Sequence, residues 1–247
     1  MSVVGPKLQP TLFERSRPGR GDGKIPHPPK DALDRLPADA LRDTPPALPE
    51  LNEPEVVRHY VNLSQLNFAV DTRESDDLMA SRGLAEQAFH DYETIFGAEH
   101  PYTVYARTNL GIVLRLLGEV EASHAHNAAA FEMLRQRLGP DHVLTLTCAT
   151  NLASDYAEMG RHDAAYALDS DIFNRSREVL GVDHPSTLAC ALNLTFDLTA
   201  LGRTEEGQRL YDEVLRAYRR VLGERHPAIA AAMARVRANC DVDPMPL

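Results

Sequence analysis

Histidine and cysteine are the side chains here best able to ligate a metal or attack a substrate, with ten and three copies in 247 residues. Their spacing argues against both uses. His100, His142, His184 and His226 recur at intervals of 42. Ligands one repeat rise apart cannot share an ion whose bonds are about 2 Å long. Capping or packing at a recurring turn is the role this spacing predicts. His124 and His126 lie two apart on a predicted helix and face different ways. Cys148 and Cys190 share one register, occupied by Ala106 a period earlier, so small size for close helix packing explains the column. With Cys240 they are too few for a disulfide framework and form no metal cluster. Gly19-Arg20-Gly21-Asp22-Gly23-Lys24 looks superficially like a phosphate loop. But Pro18 stands where the first glycine is needed, Ile25 replaces the Ser/Thr that would hold magnesium, and no strand precedes it. It reads as a flexible turn. No catalytic, cofactor-binding or metal-binding residue is assigned, and no cofactor is expected.

Charge and proline divide the chain. Its formal charge is -10, but residues 1–30 carry a net of +4 and the remainder -14. An acidic body repels phosphate backbones, so nucleic acid is not an expected partner. No apolar run approaches the roughly 20 residues that would span a membrane, and Met1 to Pro10 lacks the apolar core of a signal peptide. A cytoplasmic location is therefore expected. Eleven of the 17 prolines fall within residues 1–54, which rules out long helices and central strands there. The boundary falls near residue 73: residues 1–72 form an extended arm with no core of its own, and residues 73–247 a repeat domain.

The repeat holds five columns in one register. Asn109-Leu110-Gly111, Asn151-Leu152-Ala153 and Asn193-Leu194-Thr195 keep the 42-residue interval of the histidines. So do Gly118, Gly160 and Gly202; Gly97, Gly139, Gly181 and Gly223; and Phe89, Phe131, Phe173 and Leu215. Each period reads as two helices. Pro185 suits a first helical position, and Leu188, Leu192 and Leu198 follow at helical spacing. Gly202 then stops the first helix and Gly223 the second. The second carries Leu210, Val214, Tyr218 and Val221 inward. Helices are predicted at about 56–66, 77–96, 101–117, 120–138, 144–159, 162–180, 185–201, 204–222 and 227–239. This gives a half-repeat at 76–97, repeats at 100–141, 142–183 and 184–225, and a C-terminal helix at 227–239. One hairpin cannot bury its apolar face alone, so neighbours must stack into an all-α right-handed solenoid.

The pattern NLxxxxxxLGRxxEA…LGxDHP resembles the 42-residue tetratricopeptide repeat of kinesin light chains. It is also similar to the repeats behind NB-ARC-type ATPase modules of actinobacterial regulators. The resemblance covers residues 76–247 and implies the fold; one repeat fold serves many partners. It places the Asn109, Asn151 and Asn193 column on the first helix of each repeat, on a concave wall. There an amide, both donor and acceptor, suits the main chain of an extended peptide. Neighbours on that wall would be Tyr105, Thr108, Ile112 and Arg115 in the first repeat. The second would add Thr147, Thr150, Ser154 and Glu158, and the third Ala189, Leu192, Phe196 and Thr199. An asparagine ladder bonding adjacent repeats is the alternative role of the column.

The arm resembles a different family. Phe13-Glu14-Arg15-Ser16-Arg17-Pro18-Gly19-Arg20, Pro45-Pro46-Ala47-Leu48-Pro49-Glu50, Val57-Arg58-His59-Tyr60 and Leu63-Ser64 to Val70-Asp71-Thr72 are similar, in order and spacing, to the N-terminal arm of glycine dehydrogenase (decarboxylating) subunit 2. That is the P-protein of the glycine cleavage system. In that family the arm precedes a pyridoxal-phosphate domain and leads to a Gly-Ser-Cys-Thr-Met-Lys stretch. This chain continues Arg73-Glu74-Ser75-Asp76 and then repeats. Pyridoxal chemistry needs a buried lysine, and Lys7, Lys24 and Lys30 all lie in the Pro-rich arm. Asn67 also sits 42 residues before Asn109, so residues 67–72 read in both frames. A fusion joined at that short similarity accounts for this, as does a degenerate first repeat. The sequence thus predicts a non-enzymatic scaffold that binds a protein or peptide partner. The alternative is a non-catalytic chimeric fragment whose arm docks on a glycine-cleavage subunit.

Overall fold

A histidine opens each repeat. The imidazole Nδ1 of His100, His142, His184 and His226 accepts a hydrogen bond from the backbone N–H two residues on, at 3.3, 3.2, 3.2 and 3.2 Å. Each satisfies one orphan donor at the start of a helix, as a serine or aspartate cap would. The computed structural model describes residues 77–240; the expected helix at 56–66 and the arm lie outside them. Eight helices follow: α1 (Leu78–Phe96), α2 (Pro101–Leu116), α3 (Val120–Leu138), α4 (Val143–Glu158), α5 (His162–Val179), α6 (Pro185–Ala200), α7 (Thr204–Leu222) and α8 (Pro227–Met233). Among the described residues there is no strand. No described helix is long and apolar enough to cross a membrane.

The glycine columns stop the helices as expected. Gly118, Gly160 and Gly202 follow the first helices at φ 83°, 71° and 78°, where any other L residue would be strained. Each helix packs chiefly on the next in the chain, and the first helices α2, α4 and α6 also touch one another. The core is therefore a row of small clusters. Tyr92, Tyr102 and Tyr105 fill the first. Leu188, Leu192, Tyr211, Val214, Tyr218 and Ile229 fill the last. Each large side chain fully buried there contributes about 1.5–3 kcal/mol. Cys148 and Cys190 are buried between repeats with Ala106 in the same column, and burial pushes both thiols up to about 12. His124 turns to Tyr156 and His126 to Phe89, so the pair diverges as its spacing predicts. Among the described residues no cluster could hold a metal ion.

The last helix departs from expectation. It ends at Met233 rather than near 239. Arg235 takes a left-handed conformation at φ 59°, and the N–H of Val236 bonds back to the Ala231 carbonyl at 3.1 Å. This turn costs a non-glycine residue about 1–2 kcal/mol. The Arg235 guanidinium offsets it by lying 3.9 Å over the Tyr211 ring and bonding Gln208. Helical periodicity cannot foresee this ending, because what captures residues 237–240 lies on other repeats.

The caps carry a pH prediction. A histidine can accept at Nδ1 only while neutral, and burial lowers the pKa of His184 below its ordinary 6.5. A base whose folded value is depressed contributes stability that is full above the unfolded value and is lost as pH falls through the folded one. Melting temperature should drop on acidification below about 6.5. His184→Asn, which keeps an acceptor, should flatten that part of the thermal profile. An unchanged slope in His184→Asn would remove this cap as a source of acid sensitivity.

Candidate functional site

The extended segment after α8 runs back across the first helices. Asn193 holds Ala238 by both main-chain groups: its Oδ1 accepts from the Ala238 N–H at 2.7 Å, and its Nδ2 donates to the Ala238 carbonyl at 3.1 Å. Asn151 treats Cys240 identically, at 3.1 and 2.7 Å. Two asparagines one repeat apart thus grip two residues of extended chain without reading their side chains. The segment runs opposite to the order of the repeats. Asn193 Nδ2 also lies 3.4 Å from Ser154 Oγ in the preceding repeat, a weaker contact of the ladder kind. Asn109, the first of the column, is 4% exposed.

Charge is buried beside these clamps. Arg115 donates to the Asn151 carbonyl at 2.9 Å and to Asp155 Oδ1 at 2.6 Å. Its Nη2 reaches Asn239 Oδ1 at 2.5 Å, tying the first repeat to the C-terminal segment. Asp155 accepts further from Ser123 and Asn127, at 2.6 and 2.7 Å. One period on, Arg237 donates to the Asn193 carbonyl at 3.4 Å and to Asp197 Oδ1 at 2.6 Å, and also to Asp169 Oδ2 at 2.6 Å and Ser154 Oγ at 3.3 Å. Asp169 and Asp197 are fully buried, and Arg237 nearly so. Burial, with the neighbouring Asp197 behind it, pushes the Asp169 carboxyl well above the ordinary carboxylate range against the pull of Arg237. Burial works against the Arg237 charge too, but Asp169 and Asp197 outweigh it and hold the guanidinium above its ordinary value. An open cavity of about 420 Å³ borders this cluster, with Phe196, Asp197 and Arg237 in its wall.

The other expected wall residues are distributed differently. Arg115 and Ser154 touch the C-terminal segment, and Phe196 borders the cavity. Thr108 and Thr150 instead bond back to their own helix and lie 3.7 and 3.2 Å from the sulfurs of Cys148 and Cys190. Tyr105 stacks edge-on to Tyr102, Ile112 is fully buried, and Leu192 packs in the last core cluster. These five serve packing between helices in this arrangement. Asp155, Asp169, Asp197, Arg237 and Asn239 did not stand out in the sequence. Setting the columns Val113, Asp155, Asp197 and Arg115, Ala157, Thr199 side by side would have found the unmatched acid.

A stack of antiparallel helix pairs with glycine stops and a 42-residue period defines a helical-repeat solenoid. Residues 113–168 and 187–228 match tetratricopeptide-repeat family models, and the chain carries tetratricopeptide repeats. A Podosopora anserina protein with nearly identical TPR-like repeats of the kinesin light chain kind superposes with a TM-score of 0.58 at 21% identity, covering 75% of this chain and 86% of that one. BtubC (BKLC) of P. vanneervenii does so with a TM-score of 0.58 at 14% identity, covering 72% and 69%. At these identities the likeness is one of fold. The N-terminal region is similar to "Probable glycine dehydrogenase (decarboxylating) subunit 2" of Pyrococcus horikoshii, 47% identical over 64 residues, and of Nitrosococcus oceani, 52% identical over 61. The match takes in 26% and 25% of this chain, and the chain spans 13% of each relative's length.

Proposed function

We propose that the chain is a non-catalytic protein-interaction scaffold that holds an extended segment of a partner across the first helices of its repeats. The observation that carries this reading is the double bonding of Asn151 and Asn193 to main-chain groups of residues 240 and 238. Any extended segment offers the same N–H and C=O pairs, so the clamps suit a partner chain as well as the protein's own. Asn109 would extend the row by one repeat, with Arg115, Ser154 and Phe196 beside it. A partner captured by the full chain should be lost with the double variant Asn151→Ala/Asn193→Ala while circular dichroism still reports a folded solenoid. Undiminished capture by that folded variant would refute the reading. A second reading rests on the N-terminal similarity alone: that segment docks on a glycine-cleavage partner subunit. Co-elution of the full chain with such a subunit, abolished by scrambling residues 11–72, would support it.

A further inference from the structure

The repeat register exposes a missing cation. In the first period the guanidinium of Arg115 sits on the Asn151 carbonyl and Asp155. Forty-two residues on, the acceptors persist as the Asn193 carbonyl and Asp197, but Ala157 occupies the place of Arg115. The neutral donors that hydrogen-bond to Asp155 have also gone. Ser123 is replaced by Ala165, and Asn127 by a second acid, Asp169. The second period therefore builds a buried acidic socket with no cation of its own. Asp169 Oδ1 and Asp197 Oδ2 are buried and receive no donor from any other described residue; the two carboxyls face each other across the socket. Arg237, delivered by the C-terminal segment, lands on the very acceptors the register predicts for a guanidinium.

Resting on the scaffold reading above, we propose that this face selects extended peptides carrying an arginine, and that residues 235–240 are a tethered copy of that ligand. The guanidinium enters the Asp169–Asp197 socket. The residue immediately after the arginine pairs with Asn193 and the one three positions after the arginine with Asn151, in the spacing of Arg237, Ala238 and Cys240. The socket offers a cation four acceptors, Asp169, Asp197, Ser154 and the Asn193 carbonyl; the five donors of a planar guanidinium reach all four at once, whereas an ammonium has three. Because the native occupant is tethered, an incoming peptide competes with a high local concentration and binds at full strength only when the segment is released.

The test uses the full chain and three labelled peptides. One has the sequence of residues 234–240, and the others carry citrulline or lysine in place of Arg237. Ala238→Pro removes the N–H that Asn193 accepts and loosens the segment without touching the socket. Fluorescence anisotropy should show the arginine peptide binding Ala238→Pro at least about tenfold more tightly than the native chain. The citrulline and lysine peptides should bind that variant at least about tenfold more weakly than the arginine one. Asp197→Asn added to Ala238→Pro should shrink the difference between arginine and citrulline. The same titrations on Arg237→Gln, which empties the socket by another route, guard against one variant failing to fold. Equal binding of the arginine and citrulline peptides would overturn the arginine socket and leave the scaffold reading standing. If no peptide binds either variant although Cys240 has become open to thiol reagents, both readings fail.

Discussion

Arg115→Leu should lower the unfolding free energy by about 3–5 kcal/mol, the usual consequence of stripping one partner from a buried ion pair. Asp155 is wholly buried and Arg115 is 6% exposed, so no water replaces the lost guanidinium. The Asn151 carbonyl and Asn239 lose a donor as well. Ser123 and Asn127 still donate to Asp155, which favours the lower end of the range. For a repeat domain of this size the shift in melting temperature is roughly 6–20 °C. Arg175 supplies the control: it pairs with Asp141 and Asp171 in the open, and exposed pairs contribute about 0–1 kcal/mol. Arg175→Leu should therefore barely move the transition. Similar urea midpoints for the two variants would show that burial of the Arg115 pair has no energetic weight.

The second large effect belongs to the asparagine clamps, and Cys240 reports it. Its thiol is 1% exposed while the segment is docked. Asn151→Ala/Asn193→Ala deletes four hydrogen bonds between the first helices and residues 238 and 240. At about 0.5–1.5 kcal/mol each, local opening becomes easier by about 2–6 kcal/mol. Labelling of Cys240 by a thiol reagent should then accelerate at least about thirtyfold. Cys148 and Cys190, held inside the stack with thiols pushed up to about 12, should stay protected. If all three label together, the segment opens only with global unfolding, and the clamps do not hold it separately.

These features were legible in the sequence to different degrees, for physical reasons. Helix starts and stops follow from residues acting locally, a histidine or proline at the N-terminus and a glycine at positive φ after the end, so a fixed interval sufficed to place them. The asparagine column was visible as a column, and its suitability for main chain follows from its chemistry. What grips it was not visible. Arg235 shows nothing unusual until Tyr211 lies beneath its guanidinium, and residues 237–240 continue a plausible helix by pattern. Their capture depends on Asp169, Asp197, Asn193, Asn151 and Arg115, gathered from three repeats. Seen singly, Asp155 and Asp197 resemble the solvated acids of any charged helix. Only comparing one period with the next reveals that the second has kept the acid and lost the base.

A stack whose units touch only their neighbours behaves as a one-dimensional Ising chain, fraying from its ends and folding through local contacts. The bond between Arg115 and Asn239 spans 124 residues and alters that topology. While residues 237–240 are docked, the first and last repeats share a cross-link, and a unit that melts at one end must also release the segment. Docking should therefore merge three semi-independent units into one cooperative block. Amide exchange in α2, α4 and α6 should share a single opening free energy in the native chain. Undocking should resolve it into a gradient that declines toward the ends, so occupancy of this face would set how far an opening event at one repeat spreads to the others.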